Sequence, residues 1–263
     1  MLKTDIFRYG GQNENYKRKE TNTDTMEFYT YKTTGLYHLR NHLPCQDAVY
    51  AGKKGRYGLA VIADGVSASL YGALGASLTC EAFQDFVRLE GGRLFQYKKE
   101  KTAYLLTEHI LYFIETKGFP QVEPVTAKEG KPDVTDFACT LSAVCLDMVT
   151  CEAMIIHLGD GNIYSLKKGK IQCLMSPLTL FGHPRFVTTP EAYKMMKIEQ
   201  KSIAKGEAVI LCTDGMREHL PAESGRPADM NHVEMNTNIR LLNQRMKSLI
   251  WKDDASYAMI VHW

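Results

Sequence analysis

Residues 57–66, "YGLAVIADGV", contain an apolar run that stops at a single aspartate, Asp64, followed directly by Gly65. A short apolar run bounded by turn residues is typical of a buried strand. A buried strand that ends on a carboxylate, with a small residue behind it, indicates that this position does more than pack. Two later apolar runs end in the same way, at Asp160-Gly161 and at Asp214-Gly215.

Two further sites place aspartates at the beginnings of strands. Asp47 lies in "PCQDAVY", before an early strand, and Asp253 and Asp254 lie in "WKDDAS", before the last one. In an antiparallel sheet the end of one strand lies beside the beginning of its neighbour, so all these aspartates can meet at one end of a sheet. Viewed alone, the Asp-Gly of "GDGN" is equally well explained as a hairpin turn, whereas "ADGV" and "TDGM" are less hairpin-like because no obvious partner strand follows them. The recurrence of the pattern therefore favours a shared site.

A cluster of carboxylates is chemically demanding, because the negative charges repel each other unless cations offset the repulsion. Oxygen ligands without His or Cys favour hard ions such as Mg²⁺ or Mn²⁺. A glycine behind each aspartate leaves room for an ion, its water shell or a substrate. The pattern therefore predicts a site for hard divalent cations.

The composition is that of an ordinary globular protein. The chain has 263 residues, of which 44% are hydrophobic, and a net charge of +2. This length is enough to bury a large core, and the balanced charge predicts neither a nucleic-acid nor a membrane partner. No apolar stretch is long enough to span a membrane, and the N-terminus has no apolar signal-peptide core. We therefore expect a cytoplasmic protein.

The seven cysteines do not suggest a metal site or a disulfide framework. Their number is odd and no two have C-x-x-C spacing, which argues against a zinc knuckle or a redox dithiol. Most lie within apolar runs, where a thiol behaves as a small hydrophobe. Reduced thiols in a cytoplasmic core are the simplest interpretation.

The order of elements predicts an α+β fold. Residues 1–27 are interpreted as a flexible N-terminal arm and residues 28–263 as a single domain, because residues 11–26 are polar and aperiodic. Helical periodicity is found at residues 70–89, with Ser67 or Ser69 as cap and Gly91-Gly92 as terminator, and also at 98–117, 190–200 and 232–250. Most other apolar runs, including residues 28–39, predict strands joined by hairpins. We expect mainly antiparallel sheets with helices outside.

Five stretches in this order resemble a known family. They are "PCQDAV", "VIADGV", "LGDGNIY", "LCTDGM" and "DDAS". The chain resembles the metal-dependent protein phosphatases of the protein phosphatase 2C type (PPM-type), and its "PCQDA" form resembles a bacterial subgroup. The resemblance implies a four-layer α-β-β-α sandwich with a binuclear Mg²⁺ or Mn²⁺ centre at one end, and a weaker third ion beside it.

The resemblance also implies roles for individual residues. Asp64 corresponds to the carboxylate that bridges the two ions, and Gly65 to a carbonyl ligand. Asp214 and Asp253 correspond to ligands of the first ion. Asp47 corresponds to the residue that orders a metal-bound water, and Asp160 to a ligand of the third ion.

Two positions depart from the family pattern. Gln46 stands where a glutamate ligand of the second ion is usual; its amide oxygen can ligate, but with one negative charge fewer. His42 stands where a phosphate-gripping arginine is usual, so the phosphate contact is either Arg40, two residues earlier, or His42 itself. Arg40 is the better candidate because a guanidinium can bind two phosphate oxygens.

The implied activity is hydrolysis of phosphoserine and phosphothreonine in proteins by a metal-activated water. The implied partners are a phosphorylated protein substrate and a Ser/Thr kinase. An alternative is a pseudo-phosphatase, a regulatory or binding module on the same fold, motivated by Gln46 and the displaced arginine. A third interpretation is a metal-dependent hydrolase of small phosphates.

Overall fold

The computed structural model describes residues 25–122, 131–168, 170–180, 183–219 and 251–263. Almost all of the predicted N-terminal arm and the whole of the helix predicted at 232–250 lie outside these residues. The first strand begins at Met26, two residues before the predicted domain boundary.

Two five-stranded sheets form the centre of the molecule, and every neighbouring pair of strands within them is antiparallel. The first sheet has the order β1 (Met26–Thr33), β12 (Ala255–His262), β11 (Glu207–Cys212), β6 (Asn162–Lys167) and β7 (Lys170–Met175). The second has the order β10 (Lys197–Ser202), β5 (Glu152–Leu158), β4 (Leu141–Asp147), β3 (Tyr57–Asp64) and β2 (Asp47–Lys54). A small hairpin joins β8 (Thr179–Leu180) and β9 (His183–Pro184). The sheets confirm the predicted α+β class.

Four α-helices are described. They are α1 (Leu36–Arg40), α2 (Gly72–Leu94), α3 (Lys99–Phe113) and α4 (Ala192–Met195). A π-helical turn, Ile114–Gly118, continues α3, and 3₁₀ turns lie at Phe119–Gln121, Val134–Phe137 and Asp214–His219.

Strand β3 shows how the layers are held together. Leu59, Val61 and Ala63 face α2 and α3, whereas Ala60 and Ile62 lie in the cluster that fills the space between the two sheets. Side chains alternate between the faces of a strand, so a strand covered on both faces reads as a continuous apolar run. This explains why residues 59–63 carry no polar side chain.

The first sheet is also apolar on its outer face. Buried side chains of β12 on that face, Tyr257, Met259 and Val261, cluster with Trp251 and Met216. The helix predicted for this side, at 232–250, lies outside the described residues.

Three local predictions were wrong. Residues 36–40 form helix α1 rather than part of a strand, and residues 197–202 form the edge strand β10 rather than a helix. Helix α2 runs through Gly91 and Gly92 to Leu94, and its first turn is preceded by Tyr71, with no side-chain cap from Ser67 or Ser69. Burial of Gly91 and Leu94 against the sheet outweighs the weak helix propensity of two glycines.

All seven cysteines lie within the described residues and are free thiols, as predicted. None of the described helices is both long enough and apolar enough to cross a membrane.

Candidate metal centre

Three of the predicted aspartates converge at one end of the sandwich. Asp64 is the last residue of β3, Asp160 follows β5 and Asp214 follows β11. Each offers a carboxylate oxygen, and these oxygens all lie within 4.8 Å of one another. The two sheets therefore contribute to one carboxylate group, hereafter the three-aspartate group.

The main chain of Asp64 is held by the neighbouring segment around Thr140. The amide of Asp64 donates to the Thr140 hydroxyl at 3.0 Å, and the carbonyl of Asp64 accepts the Thr140 amide at 2.9 Å. Both polar groups of the Asp64 backbone are thus satisfied, which leaves its side chain free to face the group.

Asp47 lies next to the group, on the strand beside Asp64. Antiparallel pairing of β2 with β3 places Asp47 opposite Asp64. The Asp47 side chain is 3% exposed, and one of its oxygens, Oδ2, accepts the Thr213 hydroxyl at 3.1 Å. Its other oxygen, Oδ1, is buried without a hydrogen-bond partner among the described residues. A buried acceptor of this kind requires a donor or a cation.

Gln46 presents a second buried acceptor at the same place. Its side-chain oxygen Oε1 is buried without a partner among the described residues. This oxygen is the atom with which a glutamine could contact a cation, so the residue has the free ligand atom that its predicted role needs.

The surroundings of Asp47 and Asp64 disfavour the ionised form of both carboxylates. Burial, together with the negative charge of Asp254, raises the pKa of Asp47 to about 7, although hydrogen bonds oppose the rise. Burial and the charges of Asp47, Asp214 and Asp160 hold the pKa of Asp64 well above its usual range. A divalent cation would oppose these shifts, because its positive charge favours the ionised carboxylates and offsets their mutual repulsion.

Gly65 occupies a position that no larger residue could take. A Cβ atom there would lie 2.5 Å from the carbonyl carbon and oxygen of Gly72, the first residue of α2. The backbone of the turn between β3 and α2 therefore packs directly against the start of α2, and this contact fixes the position of Asp64 at the end of β3.

The structure does not bring Asp253 or Arg40 into the three-aspartate group. Asp253 is exposed and clusters instead with His38 and Asp254. Arg40 is the exposed last residue of α1. Their predicted roles, in metal binding and phosphate binding, remain predictions.

Two residues that hold the segments around the site, Thr213 and Asp254, were not predicted from the sequence. Thr213 joins the two sheets, since its hydroxyl donates to Asp47 and accepts the amide of Ser256 at 3.0 Å. Asp254 is buried, with backbone donors on both of its oxygens. The position of Thr213 directly before Asp214 was its only sequence signal. Only the family resemblance separated Asp254 from Asp253, because it implies the ligand role for the first of the two aspartates.

Residues 34–248, well over half of the chain, match the family described as "Protein phosphatase 2C". The chain belongs to the protein phosphatase 2C family. No curated protein sequence matches it significantly.

Solved structures share the fold of this protein phosphatase 2C chain at low sequence identity. The catalytic domain of the serine/threonine phosphatase PstP, solved with two manganese ions, has a TM-score of 0.59 and 17% identity, over 91% of this chain and 99% of that one. RsbX, solved with magnesium, has a TM-score of 0.54 and 14% identity, over 93% and 98%. The serine/threonine phosphatase of S. agalactiae has a TM-score of 0.56 and 16% identity, over 90% and 99%.

Proposed function

We propose that this chain is a metal-dependent phosphatase that hydrolyses phosphoserine and phosphothreonine in proteins. The observation that carries the proposal is the three-aspartate group, in which carboxylates from both sheets approach within 4.8 Å of one another. Membership of the protein phosphatase 2C family agrees with this chemistry. A Ser/Thr kinase acting on the same substrate is the functional partner that we expect, in the cytoplasm.

The donor set fits Mg²⁺ or Mn²⁺. Asp64, Asp160 and Asp214 would hold the ions, with Gln46 and Gly65 as further oxygen ligands. Asp253, which clusters with His38 and Asp254, is the additional ligand that the family resemblance implies. Only oxygen atoms are offered, as hard divalent cations require. Among proteins with the same fold, PstP was solved with two manganese ions and RsbX with magnesium. Ions bound here would supply the positive charge that acidifies a water and stabilises a phosphate in transfer.

The chain's own residues would orient the reactants. Asp47, held by Thr213, has a buried oxygen available to accept a proton or a hydrogen bond from water. Arg40, at the end of α1, is exposed and would bind the phosphate of an incoming substrate.

The first test is hydrolysis of p-nitrophenyl phosphate and of a phosphothreonine peptide with Mn²⁺ present. We expect Asp64→Asn and Asp214→Asn to lower turnover by more than the roughly 10–100-fold typical of an outer-shell change. The control is Asp85→Asn, which alters a carboxylate paired with Arg88 on α2 and leaves the three-aspartate group intact.

The same variants separate lost chemistry from lost folding. Because burial and neighbouring charges disfavour the ionised Asp64, Asp64→Asn should be no less stable than wild type when metal is absent. Turnover without metal, or unchanged turnover in both variants, would refute the proposal. Faster hydrolysis of small phosphorylated metabolites than of phosphopeptides would favour the small-phosphate hydrolase instead.

A pseudo-phosphatase is the second candidate, favoured by one specific observation. Asp253 is exposed and stands apart from the three-aspartate group, while Gln46 is neutral where the family usually has a carboxylate. A chain with fewer charged ligands would bind metal poorly. Calorimetric titration with Mn²⁺ distinguishes the two, because binding at micromolar to millimolar metal supports the enzyme and no binding in that range supports the pseudo-phosphatase.

A further inference from the structure

A second buried carboxylate, Asp254, lies beside the proposed metal centre but has no part in the function proposed above. It is 4% exposed, and each of its oxygens accepts a different backbone amide. Gly35 donates to Oδ1 at 2.7 Å, and Gln46 donates to Oδ2 at 2.6 Å. Gly35 precedes α1 and Gln46 precedes β2, so a single side chain fastens both ends of the 35–46 segment.

His38 makes a third close contact from within that segment, although neither of its ring nitrogens has a hydrogen-bond partner among the described residues. It lies on α1, is 2% exposed, and places its ring nitrogen Nδ1 2.8 Å from Oδ2 of Asp254. The main chain adds a further tie, because the Leu36 amide donates to the Trp251 carbonyl at 2.8 Å. Helix α1 is thus fixed to the residues before β12 by side-chain and backbone contacts together.

The close approach of these two segments is built into the sequence. A Cβ atom at Gly35 would lie 2.2 Å from the carbonyl carbon of Asp253. Asp253 is in turn held relative to Asp254, because the Asp254 amide donates to Asp253 Oδ1 at 2.8 Å. Residues with predicted roles in the metal centre lie on both sides of this contact between Gly35 and Asp253. Gln46 and Asp47 are at the end of the 35–46 segment, and Asp253 itself is on the other side.

The geometry points to Asp254 and His38 as positioning residues that set where Gln46 and Asp47 stand relative to the metal centre. The proposal rests on the proposed function, since it concerns the same site. Neither residue is a metal ligand in it; both act through the 35–46 segment.

The hydrogen bonds explain why position 254 carries a carboxylate rather than an amide. Both oxygens face an N–H donor, so both must accept. Asn has one acceptor and one donor at these places, and in either orientation its NH₂ group would face a backbone N–H. One buried amide, of Gly35 or of Gln46, would lose its partner, which is unfavourable in a buried site.

The test compares Asp254→Asn with wild type in the metal-free full-length chain, by hydrogen exchange of individual amides. We expect the Gln46 or Gly35 amide to exchange at least about tenfold faster in the variant, while amides in the middle of β4 and β11 keep their wild-type rates. Calorimetry with Mn²⁺ should then show a loss of affinity of about 10–100-fold. The matched control is Asp85→Asn, which breaks another contact between an aspartate and a histidine, Asp85 with His109 at 3.2 Å, and should change neither result.

Three outcomes would overturn the proposal. These are unchanged exchange at both amides, equal acceleration of amides throughout the sheets, or local acceleration with unchanged Mn²⁺ affinity. If wild type binds no Mn²⁺, the proposed function fails and this inference, as a role in a metal centre, falls with it; amide exchange would still report whether Asp254 holds the segment. The two failures are therefore distinguishable.

A second pair of variants decides the matter if Asp254→Asn does not fold. Asn at position 38 can place an N–H near the site of the histidine Nδ1, whereas Leu fills the volume without a donor. His38→Asn should keep Gln46 exchange and Mn²⁺ affinity close to wild type, and His38→Leu should change both. Equal behaviour of His38→Asn and His38→Leu would show that His38 only fills space.

Discussion

The carboxylates of Asp47 and Asp64 are unfavourable as anions in the metal-free chain, and the same property suits them to a site for a cation. Burial and neighbouring carboxylates raise the pKa of both, so the metal-free site disfavours ionisation of these two groups. A cation would reverse that preference. The repulsion among carboxylates that is unfavourable in the metal-free site thus favours the binding of a cation.

His157 is a buried histidine whose protonation is coupled to folding. It is 0% exposed on β5, its Nδ1 lies 2.8 Å from the Ser142 hydroxyl oxygen, and Lys197 is its partner on β10. Burial first, and then the charge of Lys197, lower the pKa of His157 to about 4. The ring is therefore neutral in the folded protein at neutral pH.

This shift predicts a pH dependence of stability. An unfolded histidine titrates near 6.5, so between pH 6.5 and 4 the unfolded chain binds the extra proton and the free energy of unfolding falls as the pH falls. The contribution of His157 to this fall is about 3 kcal/mol. In His157→Gln, urea unfolding should show a correspondingly smaller decrease over the same pH range. Parallel pH profiles for the two proteins would contradict the assignment.

At the scale of elements, helix α2 contains two glycines with opposite environments. A Cβ atom at Gly75 would lie 2.0 Å from the Phe137 carbonyl oxygen, whereas one at Gly92 would have no neighbour within 4 Å. Gly75 therefore allows α2 to approach the 134–137 turn, and Gly92 serves no packing purpose.

Substitution of the two glycines by alanine tests this difference. Gly92→Ala should raise the free energy of unfolding by about 0.5–1 kcal/mol, because alanine is the better helix former. Gly75→Ala should lower it by about 1–3 kcal/mol, because the backbone must shift to relieve the overlap. Urea unfolding measures both. The assignment fails if Gly75→Ala is as stable as Gly92→Ala.

The elements that were wrongly predicted share a physical cause. Helix α1 has five residues, too few to show a helical period, and Tyr37 within it favours a strand on propensity alone. Strand β10 is mostly polar because it lies at the edge of its sheet, and only pairing with β5 makes it a strand. Tertiary contacts decided both cases, and no local pattern in the sequence reports such contacts.

At the scale of the whole molecule, the sequence predicted that aspartates gather at one end of the sandwich, but it did not predict the hydrogen bonds that hold the surrounding segments in place. The recurrence of Asp-Gly after apolar runs predicted that Asp64, Asp160 and Asp214 meet. The same argument placed Asp253 with them, and there it was wrong, because Asp253 lies in a separate group. The support from Thr213 and Asp254 depends on which backbone amides come close after folding. The family resemblance implies the ligand role for Asp253, yet Asp253 is exposed and Asp254 is the buried residue of the two.

The central claim is that these aspartates bind a shared divalent cation, and anomalous diffraction at the manganese edge tests it most directly. Crystals of the full chain grown with millimolar Mn²⁺ should show an anomalous peak within about 2–2.2 Å of carboxylate oxygens of both Asp64 and Asp214. Crystals of Asp64→Asn should lose that peak or show it much reduced. A map with no manganese in contact with both residues, or with manganese only elsewhere on the surface, would contradict the account.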